Sequence, residues 1–411
     1  MERREVWTEK DIEKDGVALE SRKKKRSPLR VIQACDLQAG GIASLILAVC
    51  EHLDREKVNF DYLVYRNREE FGEKKALKMG GRKLVADNTK ARYKTAKFLW
   101  KFFHTWQVLR KEKAIIFHIN ASTPYDCLVG IAARLAGVEK VILHSHSSKL
   151  KKPGKGFMIF QGICRLLIPV CGDYYFACSD LAGEFLFGKR CRKKVIYVNN
   201  GISVEDFQFD EVIRRRMRKQ YQLEGTLVVG SIGRFCKVKN QEFLLEIFAE
   251  LLKLHSGCRF LLIGRGELEG ELMKMADTLQ IREKLIHISV TDRIREYLCM
   301  MDVFLLPSLS EGFPVVGVEA QGCGLPCIFS GSITKQVALT DRAYFLGLEY
   351  SASEWAKFTL EIAGKGLEER ETYMEKVREA GYDIQDTASW LQKFYLQVAG
   401  RECQEMIRKA E

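Results

Sequence analysis

The stretch "MDVFLLPSLSEGFPVVGVEAQGCGLP", residues 301–326, decides how the chain is read. The short apolar run that ends at Pro307 has the length and composition of a buried strand. Pro314 suits the first position of a helix, where its missing N–H costs nothing. Val315 to Gln321 then reads as helix, closed by Gly322 and Gly324. Glu311 stands just outside that helix and Glu319 two turns inside it, both in apolar surroundings. Buried charges need partners. A capping carboxylate plus a carboxylate paired to a core arginine satisfies that need, and so does a pair of carboxylates that grips a ligand.

Working outward, the same strand–turn–helix alternation occurs in two sets. "LRVIQAC", "FDYLVY", "AIIFHIN", "KVILHSH", "YYFAC" and "KVIYVNN" read as strands, with a helix from Ile42 to Leu53 after the first. After "NNGIS" and a charged helix around "VIRRRMRKQY" the pattern restarts with "TLVVGSIG", "RFLLIG", "LIHI", "DVFLLP" and "PCIFS", and a helix spans Gln241 to His255. Near-continuous apolar strands that alternate with helices imply parallel sheets covered on both faces. The expected fold class is α/β, with two doubly wound Rossmann-like domains facing each other. Ligands of such sheets bind beyond the carboxyl ends of the strands. The expected boundaries are a charged tail over 1–27, a first domain over 28–205, a second over 206–385, and a C-terminal helix over 386–411 that packs back toward the first domain.

The 411 residues are long enough for two or three cores, and 46% apolar with 29% charged is an ordinary globular composition. Thirteen cysteines without paired spacing, and no signal peptide, point to a reducing, cytoplasmic setting. Cys323 and Cys327 lack the second pair that a zinc site needs. "GGIASLILAVC" is too short to span a bilayer. Charge is uneven: residues 1–200 hold 39 Lys+Arg against 22 Asp+Glu, a net of +17, and the remainder nets −5. The first half therefore faces something anionic: nucleic acid, a phosphate-bearing substrate or an acidic membrane surface.

Three glycine-bearing turns follow strands. In "DLQAGG", Gly40 and Gly41 let a ligand or an opposing loop approach the backbone ahead of a helix N-terminus. This is neither a G-x-G-x-x-G nor a P-loop, and a plain tight turn fits it equally. In "SIGRFCKVKN", Arg234 and Lys239 leave a strand end five residues apart, a placement that suits a diphosphate. "GRGEL" is the third.

These pieces together resemble a known family. "GRFCKVKN", "LLIGRGEL" and residues 301–326 look like a family 4 retaining glycosyltransferase of the GT-B fold, with its E-x7-E signature at Glu311 and Glu319. "GGIASLILAVCEHLDREKVNFDYLVY", "VILHSHSSK", "FACSDLAGEFLFG" and "VNNGIS" are similar to bacterial exopolysaccharide and capsule glycosyltransferases of the EpsF/CapM type. The resemblance runs from about Leu29 to about Trp390 and leaves out the basic tail.

The resemblance implies roles. Glu311 holds donor-sugar hydroxyls, and Glu319 accepts hydrogen bonds from the nucleotide ribose. The segment Gly312, Phe313, Pro314, Val315 and Val316 aims free N–H groups at the donor diphosphate. Arg234 and Lys239 neutralise the leaving group. No D-x-D occurs, so no metal cofactor is expected. His118, His144 and His146 end neighbouring strands and are expected to face the cleft, with His118 catalytic. Many relatives read H-x-H where this chain has His118-Ile119-Asn120, and Asn120 cannot become cationic. Ser203 stands where relatives often carry Asp.

The acceptor is expected at the basic first domain. In the helix around Arg92–Lys113, Leu99, Phe102, Phe103 and Trp106 share a face bordered by Lys94, Lys97 and Lys101, and "KLKKPGKG" adds four lysines. Such a helix can lie on an anionic membrane or be a core helix with a basic side. A lipid-diphosphate-linked saccharide accounts for both features. The alternatives are a sugar-nucleotide epimerase or hydrolase of the same fold, or a nucleic-acid-binding protein, which leaves Glu311 and Glu319 unexplained.

Overall fold

Thirteen strands form two wholly parallel sheets among the described residues of a computed structural model, which cover 27–38, 40–70, 72–87, 94–148, 154–189 and 194–401. Apart from Ser27, the expected charged tail lies outside them, as do Lys149, Lys151 and Lys152. The first sheet comprises β1 Leu29–Ala34, β2 Val58–Val64, β3 Lys83–Val85, β4 Ile116–Ala121, β5 Lys140–Ser145, β6 Tyr174–Ala177 and β7 Val195–Tyr197, in the order 3-2-1-4-5-6-7. The second comprises β8 Val228–Ile232, β9 Arg259–Ile263, β10 Leu285–Ile288, β11 Val303–Leu306, β12 Cys327–Ser330 and β13 Ala343–Leu346, in the order 10-9-8-11-12-13. Central strands are buried throughout, as in the VFLL of β11, because helices cover both faces. In each sheet the winding reverses beside its first strand, at β1/β4 and at β8/β11. A crevice opens there at the carboxyl ends.

The two strands that the sequence does not reveal are β3 and β13. Both are edge strands, half-buried at every position; β3 is the three residues KLV, and the AYFL of β13, though apolar, is only four residues long.

Five helices position the site: α1 Gly41–His52, α2 Lys94–Glu112, α3 Lys155–Leu166, α4 Val315–Gly322 and α5 Ile384–Val398. Helix α4 begins one residue later than Pro314 suggested. Pro314 is its extended cap, with φ −81° and ψ 95°. Gly324 ends the turn after α4 in the left-handed region at φ +67°, where a Cβ would also lie 2.7 Å from Arg370 Cα.

Helix α5 follows the second sheet but belongs to the core of the first. Ile384, Ala388, Leu391, Phe394 and Tyr395 pack among Val31, Phe60, Ile142 and Phe176. The Phe176 and Phe394 ring centres are 5.0 Å apart. The chain thus crosses between domains twice, and the crossings touch at the Ile202–Asp383 bridge. The Tyr395 hydroxyl accepts from Gln33 Nε2 at 3.3 Å and lies 2.7 Å from His118 Nδ1. Tyr395→Phe keeps the ring but strands two buried polar groups. It is expected to cost about 1–3 kcal/mol, read as a lower urea midpoint with unchanged slope. A midpoint equal to the parent's would show that the hydroxyl does not tie α5 to the first domain.

Candidate active site at the domain interface

The wall supplied by the second domain is built from the turn after β8 and the loop before α4. Asn240, left-handed at φ +59°, donates to the Pro307 carbonyl at 3.1 Å, and Leu309 N–H donates to the Val238 carbonyl at 2.8 Å. The two loops therefore move as one. On this support Lys239 Nζ lies 2.6 Å from Glu311 Oε1, and Ser308 Oγ donates to the same oxygen at 2.7 Å. Glu311 is fixed, with its second carboxylate oxygen left for a ligand. Arg234 is exposed, and its guanidinium has no partner among the described residues.

Helix α4 has no side-chain cap at its N-terminus and no acid in its first turn. Its leading N–H groups therefore stand free for an anion. Glu319, half-buried one turn further in, has no hydrogen-bond or ion-pair partner among the described residues. Burial without a compensating cation pushes its carboxyl up to about 7. Neither the capping role nor the arginine pairing open to these glutamates is the arrangement found: Glu311 pairs with a lysine, and Glu319 with no described residue.

The wall supplied by the first domain meets this one in direct contact. A Cβ at Gly312 would lie 1.9 Å from the His146 carbonyl oxygen, so only glycine fits. Ser179 Oγ donates to the Gly312 carbonyl at 2.6 Å. Ser148 Oγ donates to the Glu311 carbonyl and lies 3.0 Å from Ser310 Oγ. Thr334 Oγ1 donates to Asp180 Oδ1 at 2.9 Å. These serines carried no signal of their own in the sequence, because their role depends on a contact with the other domain.

Two of the histidines do not face the cleft as expected. His118 and His144 are 2% and 3% exposed. His118 Nδ1 meets the Tyr395 hydroxyl, and His118 Nε2 meets His144 Nδ1 at 3.1 Å. With both ring nitrogens engaged, His118 is a positioning residue and not a catalytic one. The His144 ring stacks 4.0 Å from that of His146. His146 Nε2 donates to Asn120 Oδ1 at 3.0 Å, and Asn120 Nδ2 donates to Gln33 Oε1 at 3.0 Å. Burial lowers all three imidazoles, His118 and His146 to about 3, so they stay neutral at physiological pH. Gln33 and Tyr395 close this network. They are 362 positions apart, so no local pattern could have paired them.

Between the walls lies a cavity of about 410 Å³, lined by Gly40, Gly41, Asn120, Ser147 and Arg234 together with Asp36, Tyr65, Lys101 and Asp126. The structure thus brings five of the residues singled out in the sequence to one space: Gly40, Gly41, Lys101, Asn120 and Arg234. A Cβ at Gly40 or Gly41 would meet nothing, and the uncapped α1 opens onto the cavity. Lys101 is not the surface cation that the α2 pattern implied. Its Nζ is 3.5 Å from Asp126 and 4.1 Å from the Tyr65 ring centre, because an ammonium taken out of water needs such partners. Leu99, Trp100 and Phe103 are exposed, Phe102 and Trp106 half-buried, and the side chains of Lys94 and Lys97 lie outside the described residues.

Comparisons with known proteins identify the family. The family described as glycosyl transferases group 1 matches residues 213–382, the segment that carries Arg234, Lys239, Glu311 and Glu319. EpsF of Bacillus subtilis (strain 168), assigned by name as a glycosyltransferase, is 31% identical over 372 residues, covering 87% of this chain and 94% of its own. This chain belongs to the group 1 glycosyltransferases. An Escherichia coli member, UDP-Gal:alpha-D-GlcNAc-diphosphoundecaprenol alpha-1,3-galactosyltransferase, is 30% identical over 241 residues, 55% of this chain and 60% of its own. HepE of Anabaena, solved with UDP and glucose, superposes with a TM-score of 0.71 at 14% identity, over 90% of this chain and 99% of that one. The two facing Rossmann-like domains are those of the GT-B fold expected from the sequence.

Two outcomes follow for this glycosyltransferase. Gly312→Ala is expected to hold the domains apart, seen as a larger radius of gyration in solution scattering and a loss of transfer. An unchanged radius with parent activity would contradict the contact. For Glu319, the folded carboxyl titrates near 7 and the unfolded one near 4.5, so the folded state holds the extra proton between those values. That stabilisation is lost as pH rises through the window. Glu319→Gln should therefore melt higher than the parent at pH 8 and level with it near pH 4. Equal melting at both values would mean that the carboxyl is not held in the protonated form.

Proposed function

We propose that this glycosyltransferase moves a sugar from a nucleotide-diphosphate sugar, a UDP-sugar, to a saccharide carried on a polyprenyl diphosphate, in the assembly of a surface polysaccharide. The observation that carries the donor half is two side chains without a partner among the described residues, Arg234 and Glu319, on the elements that carry the Glu311–Lys239 ion pair and the uncapped helix N-terminus. A nucleotide sugar supplies what each group lacks. The diphosphate takes the α4 N–H groups and the Arg234 guanidinium, which forks across two oxygens. Ribose hydroxyls donate to Glu319, and sugar hydroxyls donate to the free oxygen of Glu311.

Chemistry follows from that placement. As the glycosidic bond breaks, charge accumulates on the leaving diphosphate, and Arg234 and Lys239 stabilise it with no divalent ion required. The contacts of His146, Ser148 and Ser179 across the cleft exclude water that would hydrolyse the donor. The anomeric configuration is retained, as the E-x7-E resemblance implies. The acceptor half rests on the cavity beside α1 and on the printed substrate of the Escherichia coli relative, a sugar on diphosphoundecaprenol.

A thermal-shift panel of UDP-, GDP- and ADP-sugars tests the donor, since a bound ligand raises the melting temperature by mass action. A rise with the UDP-sugar alone is expected, and no shift with any of the three would refute the reading. Arg234→Ala is expected to lower the transfer rate about a hundredfold, roughly 3 kcal/mol of barrier, and Glu311→Gln to abolish most of it. Adding EDTA should change nothing. A chelator-sensitive rate would overturn the metal-free scheme.

A further inference from the structure

Helix α3 and the turn after it are built inside out for a surface helix. Gln161, Cys164, Ile168 and Cys171 face inward, and Tyr125 N–H donates to Gln161 Oε1 at 3.0 Å. The outward positions are Phe157, Met158, Ile159, Phe160, Ile163, Leu166, Leu167 and Val170, from 40% to 79% exposed. No charged side chain interrupts that face between residues 156 and 171. Arg165, the one cation there, is turned in to the Phe185 carbonyl. A surface helix ordinarily shows the opposite pattern, and a contiguous apolar patch of this size marks an interaction site.

Two further features say what it meets. The sequence from 140 to 172 carries no Asp or Glu, in the half of the chain with the net charge of +17. The patch also adjoins the cavity: Phe160 lies 5.7 Å from Tyr125, next to Asp126 of the cavity wall. Among the described residues no helix is long and apolar enough to cross a membrane. We infer that α3 and residues 167–170 form a docking face that inserts its apolar side chains into the interface of an anionic lipid bilayer. Leu99, Trp100 and Phe103 of α2 are further exposed apolar side chains of the same domain. The docking sets the cavity at the surface where a lipid-carried acceptor is presented, and in that respect it rests on the acceptor reading above. Apolar insertion and basic attraction act together, so attachment is reversible and salt weakens it without abolishing it.

The test is co-sedimentation of the full chain with vesicles of phosphatidylglycerol and phosphatidylethanolamine, and with vesicles of phosphatidylcholine alone. The parent is expected to bind the anionic vesicles, with its tryptophan emission shifting to the blue. A variant carrying Ile159→Glu, Ile163→Glu and Leu166→Glu should bind about tenfold less, and Val212→Glu, an equally exposed change in the second domain, should bind like the parent. Transfer to a short water-soluble saccharide should be the same in all three, which also shows that the variants fold. Failure of the parent to bind anionic vesicles at low salt overturns the inference. So does a triple variant that binds like the parent, or a parent dimer that the triple variant dissolves without any vesicle binding. If the parent docks but transfers nothing to lipid-linked saccharides, the surface stands and the acceptor reading falls.

Discussion

The active arrangement depends on one contact between domains, the seat of Gly312 against the His146 carbonyl. At the residue after Glu311 the two backbones meet in front of α4. Without a side chain there, Ser148 and Ser179 can reach the carbonyls of Glu311 and Gly312. With one, the cleft cannot shut, and the free N–H groups of α4 face bulk water. Cleft closure and donor geometry are thus fixed by the same few atoms.

Behind that contact, the first domain is braced by a polar network in an apolar core. Tyr395, His118 and His144 form one arm, and Gln33, Asn120 and His146 the other. The brace begins on α5, which belongs in sequence to the second domain. The helix that tethers the domains is also the one that orients the strand ends carrying His146 and Ser148. Burial keeps the imidazoles neutral, so the network holds shape and contributes no charge to the reaction.

Much of this was legible in the sequence, and the reasons are physical. Central parallel strands are apolar on both faces, so "AIIFHIN" and "DVFLLP" identify themselves, whereas the half-buried edges β3 and β13 do not. Glycines and charges between a strand end and a helix N-terminus leave room and charge for a ligand, which sets Gly40, Gly41, Arg234 and Glu311 apart in the sequence. What could not be read was depth and partnership. His118 reads in the sequence as a strand-end ligand residue but lies inside β4, held by a tyrosine 277 positions away. Lys101 follows the helical pattern of a surface cation but turns in to Asp126. The exposed apolar face of α3 has no mark in the sequence, because an apolar helix is ordinarily a buried one.

Glu319 stands unpartnered among the described residues, and about half protonated at pH 7, until a ribose arrives. Calorimetric titration of UDP at pH 7, repeated in buffers of different ionisation enthalpy, measures protons exchanged on binding. Hydrogen bonds from ribose hydroxyls favour the carboxylate, so a group that titrates near 7 should release about half a proton for each UDP bound. Glu319→Gln should lose that release. Binding with no net proton release, or with the same release in the glutamine variant, would contradict the account.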